Sequence, residues 1–303
     1  MQNKRKILIP GGTGFIGYHL CNFCIKKGWI VHSLSKSRPK KNRKLEKVKY
    51  ILCDIRDKKK LKKRLDYYYD YIVNLSGYVD HSNKNSIKKI HFGGYKNLIL
   101  NFKLNEPKKF IQIVSSIEYG KIKSPQKEIQ IKNKNTNSNY GNAKLSSTLH
   151  LLDFSKKNNF PGTIIRLYLV YGPNQDENRV IPFVIKNSIK NKKFNCSSGI
   201  QFRDFTYIDD VIQAIYKSLN SKRSNGELIN VGFGKPYKIK YLINMIVKHV
   251  GSGKPIFSKM KLRKDELLSL YPSIRKSKKI LNWEPKISLI NGIKKTIKFY
   301  RNQ

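Results

Sequence analysis

The chain has 303 residues, enough for one large or two modest domains with a buried core. Lys and Arg number 63 against 19 Asp and Glu, a formal net charge of +44; the excess runs along the whole chain beside many Asn and Ile, so it reads as a solvated basic surface. Hydrophobic residues at 39% and aromatics at 11% exclude disorder, and the absence of any apolar run of ~18–20 residues excludes a membrane-spanning helix.

In chain order, Lys6–Ile9 is predicted as a strand that runs straight into Pro10-Gly11-Gly12, a pattern unlike a signal peptide and consistent with a cytoplasmic protein. The run Gly11-Gly12-Thr13-Gly14-Phe15-Ile16-Gly17 then joins this strand to a helix over Phe15–Lys27. Gly11, Gly14 and Gly17 have the spacing G-x-x-G-x-x-G. Glycines there let the backbone turn tightly and approach a pyrophosphate, while the helix start offers free N–H groups and partial positive charge. Gly11, Gly14, Phe15, Ile16 and Gly17 are therefore the candidate dinucleotide cradle. Cys21 and Cys24 share a face of that helix, but no second pair or spaced histidines follow, so no metal is expected. All four cysteines read as reduced, small, buried side chains.

Strands follow at Ile30–Leu34, Val48–Leu52, Tyr71–Leu75 and Phe110–Val114, with helices at Asp57–Leu65 and Ile87–Leu104. This alternation indicates βαβ units and a doubly wound parallel sheet, an α/β fold. The polar stretch Lys121–Asn139 reads as a loop over a cleft. A helix Tyr140–Asn158 and a strand Thr163–Leu167 complete this part. Shorter elements follow: helices Val180–Lys190, Asp209–Leu219 and Ile239–Val250, and strands Phe202–Thr206 and Leu228–Val231. The expected division is a nucleotide-binding domain over residues 1–168 and a smaller, mostly C-terminal α/β substrate lobe over 169–303, with chain crossing between them.

Tyr140 and Lys144 lie four apart, on one face of their helix. A nearby cation stabilises phenolate and would lower the Tyr pKa toward a working range. Ser115, at the end of a strand, could bond a substrate oxygen beside that phenol. In so Lys- and Tyr-rich a chain the pair alone would be an ordinary surface contact; its order after the glycine turn and Ser115 argues against accident.

Together these residues resemble the extended short-chain dehydrogenase/reductases, the sugar-nucleotide epimerases and dehydratases with a Rossmann sheet. The likeness extends to Asp54-Ile55-Arg56-Asp57, Asn74-Leu75-Ser76-Gly77 and Ser115-Ser116-Ile117-Glu118-Tyr119-Gly120. It continues through Arg166 with Val170-Tyr171-Gly172-Pro173, then Arg203-Asp204-Phe205-Thr206-Tyr207-Ile208-Asp209-Asp210. Asn230-Val231-Gly232 and Leu281-Asn282-Trp283-Glu284-Pro285 complete it. The resemblance implies that Tyr140 is the acid/base at sugar C4, Lys144 the ribose ligand, and Ser115 the support of the reacting oxygen. It places Asp54 and Ile55 beside adenine, adds Ser76 to the cofactor contacts, and assigns Ser116, Arg203 and Arg263 to a nucleotide-sugar substrate, the arginines to its diphosphate. It also implies a homodimer through the helices at Ile87–Leu104 and Tyr140–Asn158.

Three departures sharpen the reading. Pro10 replaces the usual Thr before the first glycine. Ser116 and Ile117 stand where 4,6-dehydratases carry Asp-Glu, so elimination of water is disfavoured. The second strand ends Leu34-Ser35-Lys36-Ser37-Arg38, without a carboxylate for a ribose 2′-OH. Ser35, Lys36 and Arg38 suit a 2′-phosphate, which favours NADP(H) over NAD(H). The segment from Glu177 to Pro182 further resembles the family's 4-keto-sugar reductases. The expected activity is thus an NADPH-dependent reductase of a nucleotide-4-keto-6-deoxyhexose. The alternative is an NAD-retaining sugar-nucleotide 4-epimerase, and a remote third is a polyanion-binding protein on a Rossmann scaffold. No specific nucleic acid and no membrane are expected as partners.

Overall fold

Short β-branched runs, most of them followed by helices, can bury both faces of every strand only as a parallel sheet with helices above and below. The computed structural model describes residues 4–66, 68–77, 87–130, 136, 138–262 and 266–303. Its first strands are β1 Lys6–Pro10, β2 Ile30–Ser35, β3 Val48–Leu52, β4 Tyr71–Asn74, β5 Lys109–Ser115 and β6 Gly162–Leu167. Then come β7 Leu169–Tyr171, β8 Lys193–Asn195, β9 Phe202–Tyr207, β10 Glu227–Val231, β11 Pro236–Lys238, β12 Lys254–Ile256 and β13 Ser269–Leu270. The α-helices are α1 Phe15–Lys26, α2 Lys58–Arg64, α3 Tyr95–Asn101, α4 Asn139–Asn158 and α5 Val180–Ile189. They continue as α6 Ile208–Leu219, α7 Ile239–Val250, α8 Arg275–Leu281 and α9 Leu289–Arg301.

Seven parallel strands stand in the order β10-β6-β5-β4-β1-β2-β3. This is the doubly wound Rossmann arrangement, with its reversal of strand order between β1 and β4. The two-residue period sends Ile7, Ile9, Val73, Ile111, Ile113 and Ile165 into one apolar cluster with Leu20 of α1 and Ile215 of α6. Leu8, Ile72, Phe110 and Ile164 enter the other, with Leu98 of α3 and Leu151 of α4. Cys21, Cys24, Cys53 and Cys196 are free and buried. Among the described residues no helix is long and apolar enough to cross a membrane.

The expected helix Ile87–Leu104 is shorter and irregular. Lys89–Gly94 is π-helical, and the α-helical part ends at Asn101. At Gly94 a side chain would strike Ile55, so a bare backbone is needed where the helix meets the end of β3. Beyond α4 the chain builds a second sheet on β9, with β7 and β13 parallel along one edge and β11 antiparallel along the other. β10 returns to the large sheet beside β6, and the first apolar cluster runs without a break from Ile7 to Phe205, Tyr207 and Ile293.

Helices α8 and α9 were not expected. In Leu289–Arg301 the buried positions Leu289, Ile293, Ile297 and Tyr300 keep helical spacing, and Ser288 Oγ caps the start by accepting from Asn291 N at 3.3 Å. Surrounding lysines mask the period. Gly292 lets α9 sit on Tyr171, whose hydroxyl donates to Leu289 O at 3.2 Å. A Cβ at Gly292 would strike that hydroxyl. Gly292→Ala should therefore cost ~1–3 kcal/mol, the usual price of overpacking, read as a lowered midpoint in denaturant melts.

Candidate active site

The crevice at the β1/β4 reversal is where a doubly wound sheet binds ligands. Gly11, at φ +82°, donates to Leu34 O at 2.8 Å, and a Cβ there would stand 2.6 Å from the Leu75 carbonyl carbon. A Cβ at Gly17 would strike Gly11 O and lie 2.6 Å from Gly12 Cα. The turn is thus closed tightly against the end of β4 and the first turn of α1. Pro10 keeps only its carbonyl, which accepts from Leu75 N at 2.8 Å. Gly14 precedes α1 and offers no side-chain cap, which leaves the helix start to an anion. The cradle fits a dinucleotide pyrophosphate.

A cleft of about 710 Å³ opens from this turn. It is lined by Gly11, Gly14, Phe15, Ile16, Gly17, Ser35, Lys36, Asp54, Ile55, Ser76, Ser115, Tyr140 and Lys144. Four expected contacts are not among its walls. Arg38 is exposed beyond the end of β2, where the strand has already left the cleft. Ser116 is 4% exposed, turned inward by the tight turn Ser116–Tyr119. Arg203 is buried on β9, where it donates to Phe202 O at 2.8 Å and pairs with Glu266. Arg263 lies outside the described residues.

Ser138 Oγ starts α4 by accepting from Gly141 N at 3.0 Å, which brings Tyr140 and Lys144 into the cleft wall. Lys144 is 5% exposed, and its Nζ donates to Ile113 O at 3.2 Å. Burial pulls its pKa down to about 8, against the opposing charge of Glu118. The expected lowering of the Tyr140 pKa is corrected here. Burial, reinforced by Glu118, pushes it up to about 12, and the cation that opposes the rise is Arg179. Lys144 is engaged by the Ile113 carbonyl, and removal of water from the phenol dominates. The His91 ring, from the π-helical turn, stands edge-on to Tyr140 at 4.9 Å between centroids. Ser115 Oγ accepts from Ile117 N at 3.4 Å.

Two cations in the walls were missed as site residues. Arg56 clasps Asp54, its Nε 3.0 Å from both carboxylate oxygens, and holds that carboxyl below its ordinary range. Arg179 sits at the start of α5 and lines the same cleft as Tyr140 and Lys144. Its signals were its place in the segment from Glu177 to Pro182 and its position as a basic residue just ahead of an apolar helix. Replacing Arg179 by Met should raise the Tyr140 pKa further, because a stabiliser of phenolate is lost. The tyrosinate absorbance missing from Tyr140→Phe tracks that titration.

A glycine cradle at the sheet reversal, with a Tyr/Lys/Ser group in the same cleft, defines a nicotinamide-dependent enzyme of the short-chain dehydrogenase/reductase type. The chain belongs to the NAD dependent epimerase/dehydratase family, whose model matches residues 7–232. It is 28% identical to a UDP-glucuronate 4-epimerase of Thermodesulfobacterium geofontis, across 96% of this chain and 94% of that one. It is 26% identical to the CDP-abequose synthase of Salmonella muenchen, across 97% of each. The crystal structure of a UDP-glucose 4-epimerase from Thermotoga maritima, with UDP-glucose, superimposes with a TM-score of 0.90 at 25% identity and 98% coverage of both chains.

Proposed function

We propose that the protein transfers hydride at C4 of a nucleotide-linked sugar, with Tyr140 as acid/base, Lys144 as ribose ligand and Ser115 as support of the reacting oxygen. The supporting observation is that all three line the cleft that starts at the glycine turn. The nicotinamide, when bound, supplies or accepts the hydride. Phe15, Ile16 and Gly17 would take the pyrophosphate at the start of α1, and Ser35, Lys36, Asp54 and Ile55 the adenosine end. Ser115 would donate to the C4 oxygen, and Tyr140 would give it a proton in reduction or take one in oxidation. Arg203 would reach a substrate diphosphate by exchanging Glu266 for it.

Within this class we favour an NADPH-dependent reductase of a nucleotide-4-keto-6-deoxyhexose. A phenol held at about 12 remains protonated through neutral pH, which is the state a carbonyl reduction consumes. The hydroxyl and ammonium of Ser35 and Lys36 in the cleft wall suit a 2′-phosphate. The 4-epimerase with retained NAD is the second reading, favoured by the two 4-epimerases to which the chain is similar. Net oxidation of NADPH on a 4-keto-sugar nucleotide supports the reductase. Conversion of a 4-hydroxy sugar nucleotide to its epimer without net NADPH loss supports the epimerase.

Lys144 separates function from stability. Its lowered pKa means that the folded chain binds fewer protons than the unfolded one between about pH 8 and the ordinary lysine range, so stability rises with pH there. The penalty of the buried charge is complete below about pH 8. Lys144→Met should flatten this alkaline rise and leave the fold at least as stable at neutral pH, while weakening binding of both nicotinamide dinucleotides. Melting curves across pH and fluorescence titration read the two effects separately.

A further inference from the structure

Behind the catalytic pair lies a polar network that hydride transfer does not itself require. Glu118, in the turn Ser116–Tyr119, and Arg166, on β6, both have fully inaccessible side chains. Arg166 Nε donates to Glu118 Oε2 at 3.1 Å, and its Nη2 donates to the same oxygen. Thr148 Oγ1 donates to that carboxylate at 3.0 Å. The guanidinium lies 4.3 Å over the ring of Tyr119, whose hydroxyl donates to Asn230 Oδ1 at 3.0 Å. Thr148 follows Lys144 by one helical turn on the same face of α4. The carboxylate therefore grips the strip of helix that carries the ammonium. A buried ion pair is seldom more stabilising than apolar groups of its volume, so stability gives no reason for a charge here.

We propose that Glu118 is a positioning residue of the active site: clamped by Arg166, it holds the Lys144 turn of α4 through Thr148 and, in its ionised form, sets a negative charge behind that ammonium. The inference rests on the reading of Tyr140 and Lys144 as the catalytic pair. The ionisable groups around Lys144 are Tyr140 on its own helix, Glu118 and Tyr119 from the turn, and Arg166 from β6. His91 faces from the π-helical segment and Arg179 from the start of α5; β5 contributes the Ile113 carbonyl. Burial pushes the Glu118 pKa up, and Arg166 and the Thr148 hydrogen bond oppose it by favouring the carboxylate, whose charge acts on both members of the pair. That charge opposes the effect of burial on Lys144 and adds to it on Tyr140. Arg166 acts on Glu118 and Tyr119, on the far side of the carboxylate.

Glu118→Gln would strand the guanidinium, so the decisive variant is Glu118→Leu with Arg166→Met, which removes both charges with groups of similar length. It should melt no lower than the parent chain. Its Tyr140 step in the tyrosinate titration, identified by subtraction of Tyr140→Phe, should fall by about one pH unit. The alkaline limb of NADP affinity, identified as the limb absent from Lys144→Met, should move down likewise. A folded double variant with both titrations in their original places overturns the proposal. If the double variant does not fold, Thr148→Val carries the test, because it keeps both charges and breaks only the link to α4. A several-fold loss of NADP and NAD affinity supports the proposal, and unchanged affinity overturns it. The catalytic-pair reading fails separately, if Tyr140→Phe turns over normally.

Discussion

Tyr140→Phe should lower turnover by ~10²–10⁴-fold, the usual contribution of a positioned acid/base, and leave dinucleotide affinity nearly intact. The phenol lines the same cleft as Ser115 and Lys144, where the proposed reading seats the C4 oxygen. Phe keeps the ring, and hence the edge-on contact with His91, so the fold and the cleft shape should persist. Only the exchangeable proton disappears. Because burial and Glu118 raise the Tyr140 pKa to about 12, the loss should be greatest where the parent enzyme reduces a ketone at neutral pH. In the oxidative direction the parent rate should climb with pH as the phenol ionises, and Tyr140→Phe should abolish that climb. Stopped-flow absorbance of the reduced nicotinamide gives both directions. Parent-like rates in Tyr140→Phe would remove Tyr140 from the chemistry and leave Ser115 and Lys144 as a binding pair.

What could be read from the chain before its structure divides along physical lines. The glycine turn was legible because its spacing is local: a Cβ at Gly17 would meet Gly11 O and Gly12, close in the chain, while at Gly11 it would meet Leu75 and Ser76 beyond the end of β4. The sheet was legible because strands buried on both faces are continuously apolar. Electrostatics were not, since they depend on burial and on partners distant in sequence. Tyr140 and Lys144 share a helix face as expected, yet burial dominates their ionisation, with Glu118 acting on both and Arg179 on Tyr140, neither of them a neighbour in the chain. Arg203 was recognised by type, but Glu266, 63 residues on, is the group it meets. Ser116 was assigned by resemblance, but beyond the end of β5 the backbone coils and the second serine turns into the core. In the C-terminal part, strands of two or three residues lack the length for a periodic signal, and lysines dilute the amphipathic pattern of α9.

NADPH should bind ~10- to 100-fold more tightly than NADH, and added salt should narrow the gap. The argument starts from the end of β2, where Ser35 stands in the place of a ribose-binding carboxylate and Lys36 follows it into the cleft wall. Arg38 is exposed outside that wall, so the preference must come from Ser35 and Lys36, with Arg56 as a further cation lining the cleft. Arg56 is committed to Asp54 by its Nε and backbone N–H, which weakens it as a phosphate ligand. One or two charge-assisted hydrogen bonds of ~1.5–3 kcal/mol therefore set the range. Ser35→Asp should reverse the order. Thr13 Oγ1 already donates to Ser35 Oγ at 3.0 Å, so a carboxylate there would keep that bond, accept a ribose 2′-OH and repel a 2′-phosphate. Lys36→Ala should reduce the preference without reversing it, because the cation is lost and no anion is gained. Fluorescence titration of both cofactors against the three proteins, at low and high salt, measures all of this at once. Equal affinities in the parent chain would show that Lys36 belongs to the general basic excess. The balance would then pass to the 4-epimerase, since a single retained NAD that is reduced and reoxidised within one turnover needs no grip on a 2′-phosphate.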